Sequence, residues 1–371
     1  EVARIDGYQN LPADPPRAPA AMRERPEGER DPHELRRRMA EAGFQELINF
    51  SFVDPDWEAD FGMAPGPGQA GEEEAEATLI RVVNPIANQY AVMRTTLLGG
   101  LVAALKYNLN RQAARVRVFE LGRVFWRDPA VADGPRAVAG VAQPMRLAAL
   151  AYGTADDEQW GAASRPVDYF DLKADVERLL LPRRARFDAA AHPALHPGRS
   201  ARIELDGRPI GWIGELHPRA LARYELPAAP IVFELDLDPL LAIGLPQPRP
   251  VPRFPTVVRD IAVWVDAALP AQRVLDEIDA LARRDSRLSA LREVRLFDVF
   301  RPDGEYSGPD GGNSRKFAGA SANVLLNKEK SLAFRVVLQD TQRSLADADA
   351  DAARAAIVDH LTAQLGARAR Q

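Results

Sequence analysis

Four alternating prolines within residues 245–252 constrain the fold of this chain more than any other feature of its sequence. Proline fixes φ and lacks a backbone N–H, so this run favours an extended connector over a helix or a sheet interior. The chain has 371 residues, whereas single hydrophobic cores usually stop growing at about 250–300 residues. We therefore predict a boundary here, between one domain over residues 27–245 and another over residues 251–371.

A second proline-rich connector lies near the start of the chain. Residues 11–19 contain four prolines, which favour an extended, non-helical backbone. We therefore predict a second boundary within this connector. The chain begins at Glu1 without an initiator methionine or the basic-then-apolar order of a signal peptide, so we interpret it as a fragment of a longer protein.

The composition is that of a globular protein in a reducing compartment. The apolar share is 46% and the charged share 27%, and the absence of cysteine excludes disulfides and thiolate nucleophiles. The longest apolar stretch ends at Lys106, too short to cross a membrane, so we expect a soluble, cytoplasmic protein. The net charge is −6 before Val251 and +1 from there on, so any contact with RNA must be local.

Residues 27–245 have the pattern of a mixed α+β domain with a largely antiparallel sheet. A helix is predicted to start after Asp31, an N-cap residue followed by Pro32, and to bury Leu35 and Met39. The Asp206-Gly207 pair predicts a tight turn between two strands. Strands are predicted over residues 47–52, 79–83, 116–126, 146–152, 201–205 and 210–214, and further helices over residues 98–105 and 172–180.

The segment after the second connector alternates strands and helices in a recognisable order. Strands are predicted over residues 260–265, 294–300 and 331–338, helices over residues 272–281 and 352–365, and a short strand at the C-terminus. This β-α-β-β-α-β order is typical of the ferredoxin-like fold. The intervening insert, residues 302–327, is predicted to be a long loop.

Few motifs in the sequence indicate catalysis. Neither a phosphate-binding G-x-x-x-x-G-K-[ST] loop nor a G-x-S-x-G nucleophile elbow occurs. His192 and His196 have the spacing of metal ligands, but Pro193 and Pro197 exclude the helix that would align them, so a zinc site is not favoured. The acidic run at residues 72–74 is interpreted as a solvated loop.

A series of short blocks along the whole chain resembles one family. In the middle domain these are residues 43–46 (GFQE), 83–85 (VNP), 93–98 (MRTTLL), 108–111 (NLNR), 119–123 (FELGR), 168–173 (DYFDLK), 196–201 (HPGRSA) and 214–218 (GELHP). In the last domain they are residues 254–255 (FP), 259–262 (RDIA), 296–301 (LFDVFR) and 330–334 (KSLAF). Taken in this order, they resemble the C-terminal half of the bacterial phenylalanine–tRNA ligase β subunit.

The resemblance implies an α+β chain in three parts. Residues 1–26 would be the end of the B5 domain and a linker, residues 27–245 a class II synthetase-like core with an antiparallel sheet, and residues 251–371 a ferredoxin-like anticodon-binding domain. It further implies an α2β2 ligase, with a second β subunit, that joins phenylalanine to tRNA(Phe) using ATP and Mg²⁺. The α subunit would bind ATP and catalyse, and the editing domain would lie upstream of Glu1. Glu1 itself would be the last ligand of a shared magnesium site.

The core is expected to be catalytically inactive. Where active class II synthetases carry a phosphate-binding arginine, this sequence aligns Trp126, which cannot supply a bidentate cation. Arg127, one residue further along the predicted strand, would point to the opposite face. The stripe of Leu98, Leu101 and Leu105 has an ordinary core interpretation, and the resemblance adds packing against the α subunit.

Residues that flank the strands of the last domain are the predicted tRNA contacts. Ferredoxin-like sheets can present aromatic and cationic side chains to unstacked bases. The candidates are Arg259, Trp264, Arg295, Phe297, Arg301, Lys328, Lys330 and Arg335. Two other functions remain open at this point: an autonomous enzyme that uses the core, and a small-molecule regulatory module in the ferredoxin-like domain fused to a scaffold, since this fold does not specify a ligand.

Overall fold

The structure, a computed structural model, describes residues 1–11, 27, 30–62, 78–135, 137–248, 251–302 and 329–370. The predictions for the acidic run at residues 72–74, for the insert beyond Pro302 and for Lys328 lie outside these residues. Within the described ranges, no helix is long and apolar enough to cross a membrane.

In the first two parts of the chain, the described residues form eleven strands and seven α-helices of five or more residues. The helices are α1 (Val2–Asp6), α2 (Pro32–Glu41), α3 (Pro55–Phe61), α4 (Leu98–Leu109), α5 (Tyr169–Leu180), α6 (Pro218–Tyr224) and α7 (Leu237–Leu241). The strands are β1 (Gln45–Glu46), β2 (Phe52–Val53), β3 (Val92–Met93), β4 (Val116–Arg123), β5 (Trp126–Arg127), β6 (Val141–Ala142), β7 (Met145–Tyr152), β8 (Arg186–Ala189), β9 (Leu195–Leu205), β10 (Arg208–Leu216) and β11 (Ile231–Asp236).

Within the described residues, the core domain is built on a seven-stranded sheet in the order β1-β4-β7-β11-β10-β9-β8. All neighbouring strands run antiparallel except β1 and β4, so the predicted largely antiparallel sheet is confirmed. Helices cover both faces: Leu35 of α2 packs with Phe119 and Phe233 on one face, and Leu101 of α4 packs with Leu150 on the other. The predicted stripe of α4 is therefore buried within this chain.

Local signals in the sequence account for several of these elements. The Asp31 carboxylate accepts a hydrogen bond from the backbone N–H of His33 at 2.8 Å, and α2 starts at Pro32 as predicted. Asp206 and Gly207 both adopt positive φ, 52° and 76°, in the tight turn that joins β9 to β10. These predictions are confirmed.

Three predicted strands of the core differ in the structure. Of residues 47–52, only Phe52 lies in a strand, because the side chain of Glu120 accepts hydrogen bonds from both the backbone and the side chain of Asn49 and so holds the segment outside the ladder. Residues 79–83 form only one isolated bridge, Arg81 with Val92. The strand predicted over residues 116–126 ends at Arg123, and Trp126 pairs with Ala142 in a separate ladder.

The last domain has the predicted β-α-β-β-α-β order. Its elements are β12 (Val257–Asp266), α8 (Ala271–Ala282), β13 (Leu291–Phe300), β14 (Glu329–Leu338), α9 (Asp347–Leu365) and β15 (Arg368–Ala369). The described strands form an antiparallel sheet in the order β13-β14-β12-β15. Val274 of α8 and Ile357 of α9 pack with Phe334 on one face of this sheet. The opposite face is not part of that core.

Candidate nucleic-acid interface

The uncovered face of the last sheet is defined by the alternation of side chains along its strands. On β12, Ile261, Val263 and Val265 are buried under the helices, so Asp260 and Trp264 point to the other side. Their register partners continue that face. Asp260 pairs with Arg335, which pairs with Arg295, and Trp264 pairs with Ser331, which pairs with Phe300. We call this surface the open face.

One end of the open face carries a fixed arginine beside an aromatic ring. Arg335 donates two hydrogen bonds of 2.9 Å to the carboxylate of Asp260, and its guanidinium lies 5.0 Å from the ring centroid of Phe297. The hydrogen bonds from Arg335 hold the pKa of Asp260 below its usual value. The arginine is thereby oriented beside a ring that is half-exposed.

The other end carries an arginine between two rings. The Arg370 guanidinium lies 5.7 Å from the centroid of Trp264 and 5.0 Å from that of Phe300, and the two rings meet edge to face at 5.9 Å. The backbone N–H of Arg370 donates to the carbonyl of Ala262 at 2.8 Å, which fixes this position beside β12. Among the residues that the structure describes, neither Arg370 nor Arg295 forms an ion pair.

Only some of the eight predicted tRNA contacts lie on the open face. It brings Trp264, Arg295, Phe297 and Arg335 together on the open face. Arg301 is exposed just after the end of β13. Lys328 lies outside the described residues.

Two of the predicted residues do not belong to this cluster. Arg259 is an odd number of residues from Trp264 and faces the helices, where it pairs with Asp347 at 2.6 Å and Asp351 at 3.0 Å. The Lys330 ammonium is buried and donates to the carbonyl of Ala267 at 2.9 Å, and burial lowers its pKa. The prediction that Arg259 and Lys330 lie on the same surface as Trp264 was therefore wrong.

Sequence reasoning missed Phe300 and Arg370. Phe297 and Phe300 are three residues apart, so a regular strand would place them on opposite faces, but a register shift between Leu296 and Asp298 exposes both. Arg370 follows a strand of two residues whose pairing with β12 leaves no pattern in the sequence. A bulge and a short edge strand thus complete the open face.

The core contains a second polar cluster, whose charged side chains pair with one another; we call it the closed polar cluster. Arg94 and Glu120 form a 2.7 Å ion pair whose side chains are only 5% and 3% exposed. Arg94 also donates to the carbonyl of Arg123 at 2.9 Å. A Cβ at Gly122 would lie 2.4 Å from the Arg94 guanidinium, so a larger residue there would push this guanidinium from its place above β4.

Beside this pair, Arg146 is held by two carboxylates. Its guanidinium lies 2.9 Å from the carboxylate of Glu234 and 3.1 Å from that of Asp236. It is also 5.6 Å from the ring of Trp126, the residue predicted to replace the phosphate-binding arginine of active class II synthetases. Burial and the charge of Arg146 lower the pKa of the neighbouring His192 to about 4, so this imidazole is neutral near pH 7. Arg94 and Arg146 are therefore neutralised within the chain.

Glu58 is a buried carboxyl that accepts hydrogen bonds from the backbone N–H and the hydroxyl of Thr95. Burial, the dominant cause, raises its pKa to about 7. Because the folded protein binds this proton more tightly than the unfolded chain, its contribution to stability is complete below about pH 4.5 and is lost as the pH rises toward 7.

Replacing Glu58 by glutamine should therefore remove the loss of folding stability that its deprotonation causes as the pH rises. As the pH rises from roughly 5 to 7, the free energy of unfolding of the variant should increase relative to that of the wild type by on the order of 1 kcal/mol per pH unit. Urea unfolding at several pH values measures this difference. The exposed Glu41, replaced by glutamine in the same way, is the control, and equal pH profiles for the two variants would contradict the prediction.

The described residues do not fit a magnesium site. Glu1 is exposed at the start of α1 and accepts hydrogen bonds of 3.0 and 2.6 Å from Arg4. One carboxylate neutralised by an arginine cannot form the octahedral oxygen site that Mg²⁺ prefers. Within the described ranges, no group of three or more histidine, aspartate or glutamate side chains is arranged to hold a metal ion.

Comparisons with known proteins identify the family. Residues 11–237 match the family model for the phenylalanyl tRNA synthetase beta chain CLM domain. The chain is 50% identical to the phenylalanine–tRNA ligase beta subunit of Burkholderia pseudomallei (strain 1710b) over 370 residues and 49% identical to that of Ralstonia nicotianae, in each case over 100% of this chain and 42% of the relative. It therefore spans less than half the length of these curated relatives.

These sequence matches place the chain among subunits of aminoacyl-tRNA synthetases. It belongs to the phenylalanine–tRNA ligase beta chain family. A solved pyrrolysyl tRNA synthetase from Desulfitobacterium hafniense aligns with a TM-score of 0.39 and 12% identity, covering 57% of this chain and 66% of the other, a likeness too distant to support an argument.

Proposed function

We propose that this chain is a non-catalytic part of a phenylalanine–tRNA ligase β subunit that binds the anticodon region of tRNA(Phe) and supports a catalytic α subunit. Residues 1–26 form the end of the B5 domain and a linker, residues 27–245 a class II synthetase-like core, and residues 251–371 the ferredoxin-fold anticodon-binding domain. The observation that carries the RNA-binding role is the open face, where Phe297 lies beside Arg335, which Asp260 orients, and where Trp264 and Phe300 lie beside Arg370, which has no carboxylate partner among the described residues.

The chemistry of the open face suits single-stranded RNA. Each base can stack on an aromatic ring or a guanidinium plane, and this stacking tolerates different sequences. Phe297 lies beside the oriented Arg335. Arg295 and Arg370 form no ion pair with any described residue, so both can approach phosphates directly. The anticodon loop is the part of a tRNA whose bases can be unstacked in this way.

The closed polar cluster of the core supports the absence of catalysis. Phosphoryl and nucleotide chemistry requires cations that can bind phosphate oxygens. Arg94 and Arg146 instead bind Glu120, Glu234 and Asp236. Phenylalanine–tRNA ligases use ATP and Mg²⁺, and we assign both to the α subunit together with residues outside this chain.

An exposed apolar surface supports association with a companion subunit. Ile48, Phe50, Val83 and Ile86 are between 72% and 95% exposed on neighbouring segments, and the Phe50 ring contacts that of Tyr90 at 5.5 Å. We call these residues the apolar patch. Apolar side chains grouped in this way mark protein interfaces. We assign the patch to the α subunit of an α2β2 assembly with a second β subunit in the cytoplasm.

Titration separates this function from a small-molecule regulatory role. A fluorescent tRNA(Phe) transcript, phenylalanine and nucleotides are titrated separately into the enzyme assembled with its α subunit and into the isolated α subunit. We expect tRNA affinity to require the β chain and to fall steeply with salt, because phosphate contacts release counterions. Saturable binding of an amino acid or nucleotide that the assembled enzyme shows and the isolated α subunit lacks, without any gain in tRNA affinity, would instead support the regulatory module.

A further inference from the structure

The loop between β7 and α5 has a rigid base. The backbone N–H of Val167 donates to the carbonyl of Gly153 at 2.9 Å, and that of Ala155 donates to the carbonyl of Arg165 at 3.0 Å. Gly153 has φ 90°, and a Cβ there would lie 2.1 Å from the carbonyl oxygen of Ala114, so this end is seated closely on the preceding segment. The loop therefore leaves the sheet in a defined direction.

Two arginines hold the sides of the same loop. Arg165 forms hydrogen bonds of 2.7 and 2.6 Å with the carboxylate of Asp171, at the start of α5. Arg115 donates to the carbonyls of Thr154 and Ala155, both at 3.1 Å, and pairs with Asp157 at 3.2 Å. A partner that binds the tip meets a segment that is already largely ordered, which lowers the entropic cost of binding.

The tip presents one large aromatic side chain. Trp160 has a relative exposure of 102%, as in an extended chain, whereas Trp57, Trp126, Trp212 and Trp264 are all partly buried. An indole in water leaves a large apolar area unburied, and tryptophan is among the residues that most often dominate binding at interfaces. A held loop that exposes this side chain has the form of a docking element.

The charge around Trp160 restricts what it can bind. Residues 154–161 include Asp156, Asp157 and Glu158 and contain no lysine or arginine. Arg115 pairs with Asp157, whereas Asp156 and Glu158 form no ion pair within the described residues. Such a tip repels the phosphates of RNA and attracts a basic surface. The complementary surface is a protein pocket of indole size with lysine or arginine at its rim.

The loop is separate from the apolar patch. It follows Tyr152, which pairs with Val116 at one end of β4, whereas Ser51, next to Phe50 of the patch, is linked through the backbone of Arg94 to Phe125, just beyond the other end of β4. A strand of eight residues spans about 25 Å, so one companion that contacts both surfaces holds the core sheet at both ends.

We propose that residues 153–167 are a docking element that inserts Trp160 into a basic-rimmed apolar pocket of the α subunit. The inference rests on the proposed function, because it takes the α subunit as the companion of this chain. It adds a contact of stated chemistry, at a site distinct from the open face and from the apolar patch.

The test uses the full-length β subunit coexpressed with its α subunit. Trp160→Ser should raise the dissociation constant of the assembly by about 30-fold or more, measured by sedimentation velocity over a dilution series. Asp156→Lys combined with Glu158→Lys should also weaken assembly, most strongly at low salt, because two carboxylates are replaced by cations. Tyr8→Ser, at an exposed aromatic just after α1, is the matched control and should assemble as the wild type does.

The outcomes are distinguishable. If the wild type assembles and Trp160→Ser assembles equally well, the docking role is overturned while the proposed function stands. If the wild type does not bind the α subunit, the proposed function fails and the docking role fails with it. Because Trp160 is fully exposed, the variant should retain the melting temperature of the wild type, which circular dichroism measures.

Discussion

Replacing Arg94 by alanine should lower the free energy of unfolding of the core domain by about 3–5 kcal/mol. The change leaves the carboxylate of Glu120, whose side chain is only 3% exposed, without its cation in the interior. It also removes the hydrogen bond to the carbonyl of Arg123. Urea unfolding followed by tryptophan fluorescence measures the loss.

The control is an arginine in a surface ion pair. Arg37 on α2 pairs with Glu41 at 3.2 Å, but their side chains are 63% and 60% exposed, so Arg37→Ala should cost about 0–1 kcal/mol. If the two substitutions cost the same, the Arg94 pair is not structural. The assignment of the core arginines to holding the fold would then lose its support.

Replacing Phe297 by alanine should weaken binding of tRNA(Phe) to the assembled enzyme by about 5- to 150-fold. This range corresponds to the roughly 1–3 kcal/mol that one base gains by stacking on an aromatic side chain. Phe297 is 49% exposed on the open face, so its removal should leave the domain folded. A filter-binding or fluorescence titration at fixed salt measures the change.

Arg259→Ala is the matched control for the open face. Arg259 lies on the same sheet but binds Asp347 and Asp351 on the helix side, so its loss should change tRNA affinity little. A larger loss of affinity for Arg259→Ala than for Phe297→Ala would place the RNA on the helix side instead. The ratio of the two affinities therefore distinguishes the two surfaces of the domain.

Elements specified by neighbouring residues were predictable from the sequence. The Asp31-Pro32 start of α2 and the Asp206-Gly207 turn depend on local hydrogen bonds and backbone preferences, and both were confirmed. The predicted strand over residues 47–52 was wrong because Glu120, 71 positions further along the chain, accepts hydrogen bonds from the backbone N–H and the side chain of Asn49. No local pattern reports such a contact.

The candidate site shows the same limit. Alternation along β12 was sufficient to separate Arg259 from Trp264, a signal present in the sequence that the predicted cluster did not use. The joint exposure of Phe297 and Phe300 could not be predicted, because it depends on a bulge whose position only the pairing with β14 defines. Arg370 reaches the rings through a two-residue strand at the sheet edge.

Phenylalanine-dependent exchange of radioactive pyrophosphate into ATP tests the central claim most directly. The claim is that this chain positions tRNA and its companion subunit while the companion performs the chemistry. The chain alone should show no exchange above background, and exchange should appear when the α subunit and the full-length β subunit are combined. Exchange by the chain alone, lost in an Arg146→Ala variant that still folds, would contradict the account.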